Sequence, residues 1–303
     1  MISDFTELTE LAKKSQKSKM TVAAPYDSAT LKAISLAEDK NLVEAVLIGD
    51  REKILAAAQE EDLTFDSDQI INKKDVGAAA GKAVKLVNQG EAEFVMKGLL
   101  STSKLLKAVL DKEDGLRTSQ LLSYVAVLDV PVLDRLLIMT DPAMNIAPDL
   151  EEKVQITENA ITVAKSLGID IPKVALLTAV EKVNPKMSAT LEAANLAKMG
   201  DRGQIKGAKI DGPLAFDNAI SMEAKEIKGI ESEVAGQADV LVVPDIEAGN
   251  ILYKSLTHLA KATIAGMLIG AAAPVVLSSR SDNYLNKLNS IILGKVLAKH
   301  MEE

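Results

Sequence analysis

The chain has 303 residues, with 35 lysines and arginines against 43 aspartates and glutamates, which gives a formal net charge of −8. We expect no nucleic-acid partner, because affinity for a polyanion depends on clustered basic residues that neutralise phosphates. Hydrophobic residues make up 48% of the chain, enough for a sizeable core, and the absence of cysteine excludes disulfides, thiolate metal sites and a cysteine nucleophile.

Short apolar runs alternate along the chain with amphipathic stretches, which is typical of a parallel sheet covered by helices. Near-continuous apolar character suits strands that are buried on both faces. The predicted strands are residues 21–25, 45–49, 94–98, 124–130, 135–141, 173–180, 239–245 and 274–279.

Two of the intervening helices have especially clear 3.6-residue spacing. The first spans residues 149–168, with acidic residues in its opening turns and Gly168 as its stop; its predicted buried face is Val154, Thr157, Ile161 and Ala164. The second occupies the C-terminal segment, where Ser281 or Asp282 could cap it; its predicted stripe is Leu285, Leu288, Ile292 and Val296.

The length allows two domains at about 150 residues each. The runs 124–130 and 135–141 follow each other closely, as adjacent strands do, so we predict a second domain from about residue 120 to 266. No apolar run approaches the roughly 20 residues of a membrane span. Residues 1–20 lack a signal-peptide pattern, so we expect a cytoplasmic protein with no membrane partner.

Polar residues follow many of the apolar runs, and ligands of open parallel sheets bind beyond the carboxyl ends of the strands. Each polar residue could also be an ordinary turn or cap, but together they favour a shared cleft. The candidates are Lys97, Gly98, Ser101 and Thr102, then Asp141, then Glu181 and Asn184, then Asp245, Gly249 and Asn250, then Ser278, Ser279 and Arg280, with Asp211, Gly212 and Pro213 on a separate loop.

The segment 274–283 is chemically the most suggestive, because it delivers hydroxyls and a guanidinium to the start of a helix. Arg280 can hold a phosphate or an oxyanion through two parallel hydrogen bonds. The alternative is that Ser281 caps the helix while Arg280 makes a surface ion pair. The residues alone leave both interpretations open.

A similar segment, 241–256, predicts a strand that Pro244 ends and a helix that Asn250 starts, with Asp245 either orienting a substrate or capping the helix. A phosphate-binding P-loop and a G-x-G-x-x-G dinucleotide motif are both missing from the sequence. His258 and His300 have no partners at metal-ligand spacing, so we expect no metal.

Several stretches together resemble the phosphate acetyltransferase and phosphate butyryltransferase family, and more closely its butyryltransferase branch. They are MKGLLSTSKLLKAVL, LIMTDPAMNIAPDLEEK, PKVALLTAVEKVNPKM, KIDGPLAFDNAIS, ADVLVVPDIEAGNILYKSL and APVVLSSRSD. The resemblance implies two doubly wound α/β domains with a cleft between them, similar to isocitrate and isopropylmalate dehydrogenases. It also implies that residues 1–119 plus 267–303 form the first domain and 120–266 the second.

The implied reaction moves a short-chain acyl group, butyryl or a branched C4–C5 group, between coenzyme A and inorganic phosphate. Acyl-CoA and phosphate are then substrates, with no tightly bound cofactor, and the expected assembly is a homodimer. Arg280 and Ser279 match the family's serine-arginine pair, which assigns Arg280 to the phosphate and oxyanion and Ser279 to the thioester or leaving sulfur. The matching stretches add Lys107 and Lys254 to the substrate-binding candidates.

Three positions depart from the family pattern. The acetyltransferases carry an aspartate seven residues after the serine, proposed as a base, where this chain has Asn286; Asp282 is the nearest carboxylate and our candidate base. Lys107 replaces an arginine and keeps the charge without the bidentate fork. Tyr124 stands where butyryltransferases often have histidine.

Other functions stay open at this point. The same reaction could use acetyl-CoA, since one methylene in an apolar pocket shifts preference by only roughly 10- to 200-fold. The same fold could house a Mg²⁺- and NAD(P)-dependent dehydrogenase, against which the lack of clustered carboxylates counts. A coenzyme A or acyl phosphate binding protein that has lost turnover is the third alternative.

Overall fold

The computed structural model describes residues 2–280 and 282–302. Its strands are β1 Ser18–Ala23, β2 Val43–Gly49, β3 Ile70–Asn72, β4 Phe94–Lys97, β5 Ser123–Asp129, β6 Leu136–Thr140, β7 Lys173–Leu177, β8 Lys209–Leu214, β9 Val240–Val242, β10 Thr263–Ile269 and β11 Val275–Val276. Its helices are α1 Phe5–Lys13, α2 Ser28–Asp39, α3 Arg51–Gln59, α4 Val76–Asn88, α5 Thr102–Val109, α6 Leu150–Ser166, α7 Ser188–Asp201, α8 Phe216–Ile220, α9 Met222–Ile227, α10 Ile246–His258 and α11 Tyr284–Glu302, with a 3₁₀ turn at Ser67–Gln69.

The chain divides into two compact units. We call Phe5–Gln120, together with the chain from Ile264 onward, the first unit, and Leu121–Thr263, together with residues 2–4, the second unit. The first unit therefore takes its strands from both ends of the sequence, because β10, β11 and α11 join the elements that precede β5.

In the first unit the strand order is β3-β2-β1-β4-β11-β10. Adjacent strands from β3 to β11 run parallel, and β10 runs antiparallel to β11. The central strands β1 and β4 are almost entirely buried, as their near-continuous apolar sequences predict. Helix α11 packs against α1 and α2, and its Leu288, Ile292 and Val296 are buried. Leu285 was predicted on the same stripe but is 46% exposed.

In the second unit the strand order is β5-β6-β9-β7-β8, parallel except for the β5–β6 pair. The prediction that the 124–130 and 135–141 runs are adjacent strands is confirmed. Two strand pairs, β5–β6 and β10–β11, depart from the predicted parallel arrangement, since both are joined by connections too short for the crossover that parallel strands need.

Helix α6 begins with a capping box in which Asp149 accepts from the Glu152 backbone and Glu152 accepts from that of Asp149. The helix is followed by Gly168 in the left-handed region at φ +80°, which confirms the predicted stop. Of the predicted face, Thr157, Ile161 and Ala164 are buried.

The tripeptide Asp211-Gly212-Pro213 was predicted to lie on a separate loop, but it lies within β8. Strand β8 is at the end of the strand order of the second unit, and an edge strand tolerates a proline because one of its sides needs no backbone donor. The segment predicted to be a loop is therefore an edge strand.

Candidate functional site

The carboxyl ends of β1, β4 and β11 meet at one edge of the first unit. The register pairs Ala23 of β1 with Lys97 of β4, and Met96 of β4 with Val276 of β11. Parallel neighbours end at the same edge of a sheet, so the residues after these strands share one location. The sequence predicted this edge to carry Lys97 and the Ser278–Arg280 segment.

Lys97 is buried, with only 5% of its surface exposed, and its Nζ donates to the carbonyls of Gly98 and Leu100 at 3.2 Å each. Burial and the positive charges of Lys287 and Arg280 lower the pKa of Lys97 to about 8. The carboxylates of Asp27 and Asp282 oppose this shift with a smaller effect. Lys97 therefore lies among like charges, in a position that favours a bound anion.

Lys287 of α11 is a residue of this edge that the sequence analysis missed. Its side chain is 4% exposed, and its Nζ donates to the Ser278 hydroxyl at 3.2 Å and to the Ser279 carbonyl at 3.4 Å. Its Nζ also lies 3.9 Å from Asp27, whose carboxylate caps α2. The signal that could have found it is its position four residues before the fully buried Ile291, on the same helix face.

The turn after β11 presents Ser279 and Arg280, both of which are exposed. Asp282 holds the turn, because its carboxylate accepts from the Ser279 backbone N–H at 2.7 Å while its own N–H donates to the Ser279 carbonyl at 3.2 Å. Of the two predicted helix caps, Ser281 lies outside the described residues. At the start of α11, the backbone N–H of Asn286 donates to the side-chain oxygen of Asn283.

Gly98 and Ser101 shape the connection between β4 and α5. A Cβ on Gly98 would lie 2.4 Å from the Ala24 carbonyl oxygen, so only glycine lets this backbone lie against the end of β1. Ser101 accepts from the Lys104 N–H and caps α5, and the exposed Thr102 opens that helix. The predicted residues of this connection therefore have structural roles at the shared edge.

Lys107 is exposed on α5 and lines a separate concavity of about 710 Å³ between α4 and α5. Other lysines share that concavity with several carboxylates: Lys73, Lys82, Lys85, Lys104, Asp75, Asp111, Glu113 and Asp114. Among the described residues, no hydrogen bond or ion pair joins Lys107 to the turn of Arg280.

Asn286, where the family has its aspartate, accepts from the Ile264 N–H at 3.2 Å and so has a structural role.

In the second unit, Asp141 follows β6 and is buried. Its carboxylate accepts from the backbone of Ala143, Met144 and Asn145 and from the Asn145 side chain. Burial raises the pKa of Asp141, and these hydrogen bonds act in the opposite direction. The carboxylate thus organises the loop after β6.

Helix α10 brings two more predicted residues to Asp141. A Cβ on Gly249 would lie 2.9 Å from Pro142 Cα and 3.1 Å from the Asp141 carbonyl oxygen, and Asn250 donates to the Pro142 carbonyl at 3.2 Å. Asp245 accepts from the Ala248 N–H at 2.8 Å, which is the helix-capping alternative of the sequence analysis. The prediction that Asn250 starts the helix is wrong, since α10 begins at Ile246, directly after this cap.

The remaining candidates of the second unit make contacts of their own. Lys254 places its Nζ 5.2 Å from the ring centroid of Tyr253, which itself packs edge-on against Tyr124 at 6.4 Å. Asn184 accepts from the Lys186 N–H in a local turn. Asp211 accepts from the Gly212 N–H.

Glu181 belongs to a charged group with Lys228 and Asp217. Lys228 Nζ lies 3.4 Å from the Glu181 carboxylate and 3.0 Å from that of Asp217. Hydrogen bonds from its own backbone and from Lys228 lower the pKa of Glu181.

In residues 2–280 and 282–302, no group of three histidines or carboxylates is arranged to hold a metal ion. None of the helices in these same ranges is long and apolar enough to cross a membrane.

Comparison with known proteins decides the family. The profile of a family described as phosphate acetyl/butaryl transferase matches residues 73–294. The phosphate butyryltransferase of Clostridium acetobutylicum is 46% identical over 98% of this chain and 99% of its own. The chain belongs to the phosphate acetyl/butaryl transferase family. The predicted family is therefore confirmed.

Solved structures confirm the fold class of this family member. The crystal structure of a branched-chain phosphotransacylase from Enterococcus faecalis superimposes with a TM-score of 0.81 at 34% identity, covering 92% of this chain and 98% of that one. A 4-hydroxythreonine-4-phosphate dehydrogenase from Klebsiella pneumoniae, at 13% identity and a TM-score of 0.54 over 93% of this chain, shares the fold alone. The predicted dehydrogenase-like α/β architecture is correct.

The family match covers most of the cationic edge, including Lys97, Arg280 and Lys287. Asp27, which lies 3.9 Å from Lys287, precedes the matched residues. In this family member the edge of the first unit is thus built from the matched segment together with the N-terminal cap of α2.

Proposed function

We propose that this chain transfers a short-chain acyl group between coenzyme A and inorganic phosphate, giving acyl phosphate and free coenzyme A. The observation that carries the proposal is the group of three cations, Lys97, Lys287 and Arg280, at the shared edge of β1, β4 and β11. Phosphate and the tetrahedral oxyanion of acyl transfer are both anions that such a group stabilises. Membership of the family supports the reaction type.

In this proposal Arg280 binds phosphate and the developing oxyanion through its planar fork, and Ser279 donates a hydrogen bond to the thioester or the leaving sulfur. Their exposure on a turn held by Asp282 supports these roles, because the groups face solvent from which substrates arrive. Asp282 is the nearest carboxylate and a candidate base for the thiol, and full turnover in Asp282→Asn would remove that role.

The substrate-binding residues of the proposal extend over both units. In the first unit they are Lys97, Gly98, Ser101, Thr102 and Lys107, and in the second unit Asp141, Glu181, Asn184, Asp211, Gly212, Pro213, Asp245, Gly249, Asn250 and Lys254. The grouping of Asp141 with Gly249 and Asn250 supports their participation in one binding surface.

We propose direct transfer in a ternary complex, because the sequence has no cysteine to form a thioester intermediate. A serine acyl-enzyme is the alternative, and it would exchange labelled phosphate into acyl phosphate without coenzyme A. The acyl group we propose is butyryl or a branched C4–C5 group, supported by relatives named as a phosphate butyryltransferase and a branched-chain phosphotransacylase. Acetyl transfer is the second candidate, since the family description names both.

The proposal also covers the substrates, the location and the assembly of the protein. Acyl-CoA and phosphate act as diffusible substrates, with no tightly bound cofactor, in a cytoplasmic homodimer. Sedimentation of the purified protein tests the dimer, and a monomer at micromolar concentration would contradict it.

The experiment measures phosphate-dependent release of coenzyme A thiol from butyryl-, isobutyryl- and acetyl-CoA. We expect release from the C4 substrates, with turnover lowered about 100-fold or more in Arg280→Ala, as for loss of an oxyanion donor. The matched control is Arg202→Ala, an exposed arginine at the end of α7, which should behave like wild type. Preference for acetyl-CoA would replace the acyl assignment.

Two outcomes would replace the reaction itself. Coenzyme A binding without phosphate-dependent thiol release would favour a binding protein. A change in NAD(P)H absorbance with added hydroxy acids would favour a dehydrogenase of the same fold.

A further inference from the structure

We propose that Lys97 is the catalytic residue that exchanges a proton with the sulfur of coenzyme A. This inference rests on the proposed function, and it identifies the base that Asn286 cannot supply.

The carboxylates near the Ser279–Arg280 turn are engaged with backbone groups. Asp282 accepts from the Ser279 N–H at 2.7 Å, and Asp27 accepts from the Thr30 N–H at 2.9 Å as the cap of α2. Asn286, at the family's aspartate position, has no proton to exchange and accepts from the Ile264 N–H. Because protonation of either carboxylate would weaken these bonds, a group that accepts no backbone N–H is the better proton acceptor at this edge.

The position and the hydrogen bonds of Lys97 suit the function of a proton acceptor. It is the last residue of β4, next to the strand that delivers Ser279 and Arg280, and it is 5% exposed. Its Nζ donates to the neutral carbonyls of Gly98 and Leu100. Within the described ranges its Nζ forms no ion pair with a carboxylate, so losing its proton breaks no salt bridge.

The charged groups that surround Lys97 come from three neighbouring elements. Lys287 belongs to α11, Arg280 and Asp282 to the turn after β11, and Asp27 to the cap of α2. Burial and the two cations lower the pKa of Lys97 to about 8, so part of the amine is neutral near neutral pH and can accept a proton. A base whose pKa lies near the working pH is efficient in proton transfer.

In the direction of acyl-CoA formation, the neutral Lys97 amine takes the thiol proton of coenzyme A, and the sulfur forms a C–S bond with the carbonyl carbon of acyl phosphate. The tetrahedral oxyanion collapses, the C–O bond to phosphate breaks, and Lys97 returns its proton to the departing phosphate. In the reverse direction the Lys97 ammonium protonates the leaving sulfur.

The test follows kcat/KM for coenzyme A with butyryl phosphate between pH 6 and 10 in wild type, Lys97→Arg, Lys97→Ala and Asp282→Asn. We expect a wild-type rise through pH 8 and, in Lys97→Arg, a rate about 100-fold lower at pH 8 because arginine keeps its proton. In Lys97→Ala, added primary amines should restore turnover, with larger effects from more basic amines. Lys295→Arg is the matched control, a buried lysine of α11 whose Nζ also donates to a backbone carbonyl.

The contrary results are distinct. A wild-type pH profile in Lys97→Arg would overturn the role of Lys97 while leaving the proposed function intact. Loss of the pH 8 limb in Asp282→Asn alone would assign the proton transfer to Asp282 instead. Absence of turnover in wild type with every acyl phosphate would instead remove the proposed function, and with it this inference.

Discussion

Lys97 carries a positive charge in a buried position, and this charge costs folding free energy. Its folded pKa of about 8 lies below the ordinary lysine value of about 10.4, so the unfolded chain binds the proton more tightly and stability rises with pH across this window. A shift of this size corresponds to roughly 3 kcal/mol. This free energy of unfolding is lost because the site holds a buried amine that is charged at neutral pH.

We therefore expect the stability difference between Lys97→Met and wild type to depend on pH. The variant lacks the charge, so its free energy of unfolding relative to wild type should fall by about 3 kcal/mol as pH rises from 7 to about 10.5. Urea unfolding at pH 7, 8.5 and 10 measures this difference. A difference that stays constant with pH would contradict the buried charge.

Lys287 is the residue that ties the Ser278–Arg280 turn to the cap of α2. We expect Lys287→Met to lower kcat/KM for phosphate by about 10- to 100-fold, because it removes one of the three cations proposed to stabilise the anion and the side chain that holds the Ser278–Arg280 turn. The control is Lys295→Met, which removes another buried lysine from the same helix. Equal losses in the two variants would mean that only helix packing matters.

At this scale the sequence predicts the residues that follow strands and misses those that reach the site from helices. Lys97, Ser279 and Arg280 were found because each lies at or beyond the end of an apolar run. Lys287 and Asp27 were missed, because a lysine within an amphipathic helix and an aspartate before one are typical of solvated and capping positions. Only the three-dimensional packing of α11 brings them together.

Among the elements, the connection from β4 to α5 depends most clearly on one glycine. Gly98→Ala would place a Cβ 2.4 Å from the Ala24 carbonyl and force the ends of β1 and β4 apart. We expect the substitution to lower the melting temperature and the turnover together. Gly81→Ala is the matched control, since a Cβ there meets no heavy atom within 4 Å outside the adjoining residues and backbone of its own helix, and alanine favours the helix by about 0.5–1 kcal/mol.

Calorimetry on both alanine variants measures the effect. A Gly98→Ala variant as stable and active as wild type would show that the strand ends relax without cost. A Gly81→Ala variant that is destabilised would point to a constraint on α4 beyond its local packing.

The elements that the sequence predicted are those with strong, uninterrupted apolar runs. All eight predicted runs contain observed strands, whereas β3, β8 and β10 were not predicted. Strand β3 has three residues, β8 contains Gly212 and Pro213, and β10 contains Gly266, so each lacks the length or the composition that identifies a strand. Pairing with an existing sheet, rather than local preference, makes these segments strands.

At the scale of the whole molecule, the cationic edge joins residues from opposite ends of the chain. Lys97 and the cap of α2 come from the N-terminal part, while Arg280 and Lys287 follow β11 near the C-terminus. Lys287 and Arg280 disfavour the charge on Lys97, and the carboxylates of Asp27 and Asp282 offset this only in part, so anion binding and the stability of the first unit should be coupled.

Inorganic phosphate should therefore stabilise the folded protein through this edge. A ligand at 100 times its Kd adds about 2.7 kcal/mol to the free energy of unfolding, which corresponds to a rise of several degrees in melting temperature. We expect phosphate, at a constant ionic strength set with chloride, to raise the melting temperature of wild type and Lys295→Met, but not of Arg280→Ala or Lys287→Met. If all four proteins respond equally, phosphate binds elsewhere on the molecule, and the cations at the ends of β1, β4 and β11 are not its site.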